Sequence, residues 1–174
     1  MISEFFFQIA ELKKLPRSGW KIKVGLEDSE SVAEHSYMMS VMSMVLSDVK
    51  SLNSEKVLKM SILHDWAESK IGDFMPDQIG YDKKSELESY AMSEILESLP
   101  QKIQDEYTNI WNEFLVRSTP ESRLVHELDK LEMALQAKIY EKDVDPEKVK
   151  PFIISAVEHI MDPDVKKILM DILK

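Results

Sequence analysis

The sequence predicts an all-α protein of about seven helices, and three observations carry that expectation. Only four glycines occur in 174 residues, few for the turns that a many-stranded sheet needs. No window shows sustained apolar–polar alternation bounded by turn residues. Apolar residues instead recur every three and four positions, as in VAEHSYMMSVMSMVLSDV (32–49) and SRLVHELDKLEMALQAKIYE (122–141).

The elements follow in order. A first helix is expected over 3–15. A second, 31–50, opens on a capping box, with Ser31 at the cap and Glu34 three residues on. A third, 54–71, starts after Asn53, a preferred cap. Helices over 83–98 and 101–117 follow. A sixth, 120–142, has Thr119 at its cap and Pro120 in its first turn. The last runs from 146 to the C-terminus, with a break expected at Asp162–Pro163. Two loops remain: LPRSGWKIKVGLEDSE (15–30), holding two of the four glycines, and GDFMPDQIGYDKK (72–84). Loops on a rigid helical scaffold are where binding groups tend to sit.

Bulk properties bound the function. With 44% hydrophobic and 31% charged residues, and no repeat, low-complexity tract or linker, one domain over 1–174 is expected. No apolar run approaches the roughly 18–20 residues of a membrane span. The N-terminal MISEFFFQIAELKKLP lacks the basic start and small-residue cleavage site of a signal peptide. The chain has no cysteine, so disulfides, thiolate ligands and a cysteine nucleophile are excluded, in keeping with a cytoplasmic location. A net charge of −10 argues against binding a nucleic-acid duplex. It leaves room for a small phosphate ester in a local pocket, since a bound divalent cation reverses the local sign.

The chemistry is concentrated in SILHDWAESKIGDF (61–74). A lone histidine at the end of an apolar run is more often a packed residue than a ligand. On a continuous helix, however, Glu68 lies one turn from His64 and three residues from Asp65, so all three border one cavity. Asp73 sits where the helix runs out at Gly72. His35 lies among core-type residues of the second helix, and Asp129 lies near the apolar stripe Leu124, Leu128, Leu131 and Leu135 of the sixth. An aspartate near a core stripe is costly unless paired or coordinating a cation. Two histidines and two aspartates so placed point to a metal.

The order His35, His64–Asp65, Asp129 resembles the HD-domain superfamily of metal-dependent phosphohydrolases, and within it the 5′-deoxynucleotidase branch. The supporting stretches are LKKLPRSGW (12–20), ESVAEHSYMMSVMSMVL (30–46), LHDWAESKIGD (63–73) and LDKLEMALQA (128–137). The resemblance implies a compact HD-domain fold with the metal site between helices. The motif-bearing core spans about 12–142, and 146–174 supplies packing helices.

It further implies His35, His64, Asp65 and Asp129 as ligands of a divalent cation (Mn, Co, Mg, Zn, Ni or Fe), with Asp65 and Asp129 also near the substrate. Glu68 and Asp73 match acidic residues needed for activity, Glu68 at the attacking water and Asp73 at the sugar or leaving oxygen. In some relatives these two, with the backbone carbonyl of Phe74, resemble ligands of a second metal, so one metal or two stays open. Arg17 resembles the arginine that orients the substrate phosphate, and Trp20 the aromatic that closes over the sugar or base. Trp20 read by itself is equally a loop anchor on the core. The implied substrate is a nucleoside 5′-monophosphate and the implied assembly a homodimer. Cyclic nucleotides, nucleoside triphosphates or alarmones are the alternative substrates of such a domain, and a non-enzymatic metal-binding module is a further alternative. His126 and His159 have no acidic arrangement around them and are expected to be structural.

Overall fold

Capping chemistry starts the helices that carry the expected ligands. Ser31 Oγ accepts from the Glu34 N–H, and the Glu34 carboxylate accepts from the Ser31 N–H at 2.7 Å. Asn53 accepts from the Lys56 N–H at 3.1 Å, and Thr119 from the Ser122 N–H at 3.2 Å. The computed structural model describes residues 1–174, Pro76 by its backbone alone. The described α-helices are α1 (Ile2–Ala10), α2 (Val32–Val49), α3 (Ser54–Leu63), α4 (Glu68–Ile71), α5 (Pro76–Ile79), α6 (Tyr81–Leu96), α7 (Gln101–Val116), α8 (Pro120–Tyr140), α9 (Pro146–His159) and α10 (Pro163–Ile172). Among the described residues there is no strand, only an isolated bridge between Pro16 and Ser31. None of the described helices is long and apolar enough to cross a membrane. The fold class is all-α, as the periodicity implies.

The long helix α8 lies at the centre, packed against α2, α3, α7, α9 and α10. Its buried Leu124, Val125, Leu128 and Leu131 meet Val32 and Met39 of α2 and Val57, Met60 and Leu63 of α3. Burying such side chains stabilises the fold by about 1.5–3 kcal/mol each. A smaller apolar cluster joins Trp20, Val24, Ala137 and Val149.

Three expectations need correction. The helix expected over 54–71 is interrupted by turns at residues 64–67. His64 Nδ1 donates to the Ser61 carbonyl at 2.7 Å, the oxygen that a continuous helix would offer to the Asp65 N–H. The bonds that follow span three residues, Glu68 to Asp65 and Ser69 to Trp66, each 3.0 Å. The stretch 15–30 is not all loop: Trp20–Val24 makes one wide turn in which the Gly25 N–H reaches back to the Trp20 carbonyl at 3.1 Å. The indole pins that turn, 2% exposed against Phe152 and Tyr140. The stretch 72–84 likewise contains the short α5 and the first turn of α6. The break at Asp162–Pro163 is present, with Asp162 capping α10.

Candidate metal centre

His35 stands one turn into α2, where its N–H bonds the Ser31 carbonyl at 3.1 Å and its ring is wholly buried. Its Nδ1 lies 2.5 Å from Glu132 Oε2. A carboxylate and a carbonyl can only accept, so Glu132 and Ser61 place the Nδ1 proton on both His35 and His64. In the neutral form of each ring, the form that binds a metal, Nε2 then carries the lone pair. Both Nε2 atoms are buried without an aligned hydrogen-bond partner.

These nitrogens face carboxylates. His64 Nε2 is 3.0 Å from Asp65 Oδ2; His35 Nε2 is 3.4 Å from Asp129 Oδ1 and 3.7 Å from Asp65 Oδ2. Lone pairs opposed at such distances repel unless a cation lies between them. Donor atoms of His35, His64 and Asp129 all lie within 4.8 Å of one another. Ligands about 2.1 Å from one ion fall within that spread. The residues therefore fit a divalent metal, and the mixed nitrogen and oxygen donors suit a borderline ion.

The field agrees. Burial and the Arg17 charge oppose protonation of His35, yet the nearby Asp129 carboxylate and the hydrogen-bonded Glu132 outweigh them and push the imidazole up to about 9. Positive charge is favoured at this nitrogen. Burial alone would raise Asp65, but His64, Arg17 and His35 hold it well below the usual carboxylate range. Asp129 is likewise held low against burial, by Lys130, His35 and Arg17.

Arg17 closes the cluster. Its guanidinium is 3.4 Å from Asp65 Oδ2 and 3.8 Å from Asp129 Oδ1. Burial would favour loss of its proton, but Asp65, Asp73, Asp129 and Glu68 outweigh burial and raise it further. Its backbone is tied to the start of α2, since the Arg17 N–H bonds the Glu30 carbonyl and the Val32 N–H the Leu15 carbonyl, each at 2.9 Å.

Glu68 and Asp73 reach the same region by different means. Glu68 is buried at the start of α4, where burial, then Asp65 and Asp73, push its carboxyl well above the usual range. Gly72, at φ 88°, ends α4 in a conformation closed to other residues and turns the chain so that Asp73 Oδ2 accepts from the Ser18 N–H at 2.6 Å. The Ser18 hydroxyl donates to the Asp73 carbonyl. Two loops expected only as neighbours in function are thus joined by two hydrogen bonds, each between the backbone of one residue and the side chain of the other. Phe74 follows in the same loop, its ring 4.0 Å from where a Gly72 Cβ would stand.

The HD domain family matches residues 9–169. The chain belongs to that family. A 5′-deoxynucleotidase HDDC2 from Danio rerio is 35% identical over 168 residues, covering 95% of this chain and 83% of the relative. The Dictyostelium discoideum 5′-deoxynucleotidase HDDC2 is 40% identical over 147 residues, covering 80% and 77%. A conserved hypothetical protein from Pyrococcus furiosus superposes with a TM-score of 0.81 at 29% identity, over 98% of each chain.

In this HD domain protein Trp20 is an anchor. Its ring packs tilted against Phe152 and edge-on to Tyr140, and its Nε1–H donates to Glu30 Oε1 at 2.8 Å. Two groups escaped the sequence reading. Glu132, which orients His35, is 2% exposed three residues beyond Asp129, and an acidic residue inside an apolar stripe was the available signal. Glu30 lies behind it, lifted by burial and by Glu132 to about 7. A cavity of about 460 Å³ opens on that side, lined by Glu30, Glu34, Glu132 and Tyr140 among others. His126 stacks on Phe114 and bonds its carbonyl at 2.8 Å, and His159 bonds the Ser155 carbonyl at 2.7 Å, both as structural histidines do.

Proposed function

We propose that this HD domain protein is a metal-dependent phosphohydrolase that removes the 5′-phosphate from nucleoside monophosphates, with deoxyribonucleotides preferred. The carrying observation is the convergence of two buried, unpartnered imidazole nitrogens on two aspartates beneath one arginine. The 5′-deoxynucleotidase names of relatives that align over most of the chain support the choice of substrate.

In this reading His35, His64, Asp65 and Asp129 hold one divalent ion, whether Mn, Co, Mg, Zn, Ni or Fe. When bound it supplies Lewis acidity at the phosphoryl group and a lowered pKa for water. Arg17 grips phosphate oxygens with its planar fork. Glu68 takes a proton from the attacking water as the water oxygen bonds phosphorus; the P–O5′ bond breaks, and that proton passes on from Glu68 to the leaving oxygen. Asp73 contacts the sugar beside that oxygen. A second ion at Glu68, Asp73 and the Phe74 carbonyl is an extension of the same arrangement. Trp20 keeps the Arg17 loop in place. The chain acts as one domain over 1–174, as a cytoplasmic homodimer.

The test is phosphate release from deoxy- and ribonucleoside 5′-monophosphates by protein stripped with chelator and reloaded separately with Mn, Co, Mg or Zn. Metal-dependent release that favours deoxy substrates is expected. Silence with every monophosphate and every metal overturns the reading.

A further inference from the structure

Lys84 enters the site from α6, an element to which none of the roles above is assigned. Its ammonium is 3.3 Å from Glu88 Oε1, one helical turn on, and 3.6 Å from Glu68 Oε1 on α4. The first contact is an ordinary i,i+4 pair, of a kind that contributes a few tenths of a kcal/mol when exposed. The second is different. Glu68 is 3% exposed and Lys84 20%, so the charges meet largely away from solvent, where attraction is less screened.

The other oxygen of Glu68 completes the observation. Its Oε2 is buried and has no hydrogen-bond partner. A carboxylate turns easily about its last torsion, which makes its two oxygens interchangeable unless something distinguishes them. Here one oxygen lies beside a fixed cation and the other is free. At 3.6 Å the ammonium is also too far to share its proton with Oε1, so it attracts the carboxylate without neutralising it.

We propose that Lys84 is a positioning residue for Glu68: held by Glu88, it anchors Oε1 from the side of α6 and leaves Oε2 as the oxygen that receives the proton of the attacking water. Lys84 itself touches neither phosphate nor metal. The inference rests on the proposed role of Glu68 and adds a residue whose only task is to fix the direction of that carboxylate. A proton acceptor must be held within tenths of an ångström of its working geometry, and losing that alignment slows turnover without weakening binding.

The test uses the full-length, metal-loaded protein, comparing Lys84→Met, Lys84→Arg and Glu88→Gln with wild type. Lys84→Met is expected to lower kcat by about 10–100-fold while KM for the monophosphate and the dissociation constant for Mn, measured by titration, change less than about twofold. Lys84→Arg, which keeps the charge, recovers most of the loss. Glu88→Gln, which loosens the lysine without removing it, gives a smaller loss in the same direction. It also decides the matter should Lys84→Met not fold. Unchanged kcat in both Lys84→Met and Glu88→Gln overturns the proposal. So does a loss confined to KM, which would make Lys84 a substrate-binding group, or an equal loss of Mn affinity. Should wild type hydrolyse no monophosphate, the proposed function fails by itself. The Glu68 carboxylate in a crystal structure of Lys84→Met then judges Lys84: an unmoved carboxylate refutes the anchoring, a rotated one supports it.

Discussion

The two edges of the His35 ring face carboxylates in opposite conditions. At Nε2, Asp65 and Asp129 are held charged, with Arg17 and Lys130 close by. At Nδ1 stand Glu132 and, behind it, Glu30, whose carboxyl burial and Glu132 push up to about 7 even though the Trp20 N–H, His35 and Arg17 pull it down. Residue chemistry is nearly the same on both sides; what differs is the balance between burial and nearby cations. The Nε2 side gathers atoms that favour a cation between them, a proton or a metal in its place. The Nδ1 side works through directed hydrogen bonds that fix the ring, as the supports behind metal-bound histidines do.

The largest effect should come from breaking the Nε2 side. His64→Ala and Asp65→Ala are each expected to lose metal loading and to drop phosphate release to background, while the far-ultraviolet helical signal survives. Full activity in either variant would contradict the assignment of that side as the metal centre. On the Nδ1 side a milder loss is expected. Glu132→Gln keeps the shape but weakens the bond to His35, and should cost about 10–100-fold in metal affinity. A metal titration of this variant that overlays wild type would show that the ring needs no carboxylate to orient it.

Glu30 offers a comparison in stability. Its folded-state value of about 7 lies above the ordinary 4.5, so between those values the folded chain binds a proton that the unfolded chain has released. The contribution is complete below pH 4.5 and is lost as pH rises through 7. Relative to Glu30→Gln, wild type should therefore lose at most about 2.5 kcal/mol of unfolding free energy between pH 5 and pH 8, less whatever solvent in the adjoining cavity screens. Denaturant unfolding at the two pH values measures it, and a constant difference between the proteins would remove the contrast between the two edges.

How far the sequence exposed these features depends on the range of the interactions behind them. Caps act within four residues, so Ser31, Asn53 and Thr119 announced their helices. Polar residues inside apolar periodicity announced His35 and Asp129. The break at 64–67 was hidden, because His64, Asp65, Trp66 and Ala67 include neither glycine nor proline and the cause is a histidine side chain capturing a carbonyl. Glu132 carries the same signal, an acidic residue inside an apolar stripe, but its role shows only once His35, 97 residues away in sequence, is placed beside it. The Lys84–Glu88 pair reads as surface decoration for the same reason: its third member, Glu68, comes from another element. Local chemistry was legible, whereas partners brought together by packing were not.

The smallest effect is expected at Trp20, and it refines the contrast. Phe in its place keeps an aromatic ring against Phe152 and Tyr140 but removes the N–H that Glu30 accepts at 2.8 Å. A hydrogen bond to a charged acceptor contributes about 1.5–3 kcal/mol and one to a neutral acceptor about 1 kcal/mol. The loss of the bond in Trp20→Phe should therefore be larger at pH 8, where Glu30 is ionised, than at pH 5, by about 1 kcal/mol. Since the N–H favours the ionised form, its removal also moves the Glu30 transition upward in pH. Both signatures should vanish when Trp20→Phe is made in the Glu30→Gln background, because no titrating partner remains for the indole to favour. A pH-independent loss in the single variant would assign Trp20 to packing alone, and would leave Glu30 raised by burial and Glu132 with no local counterweight from the Arg17 loop.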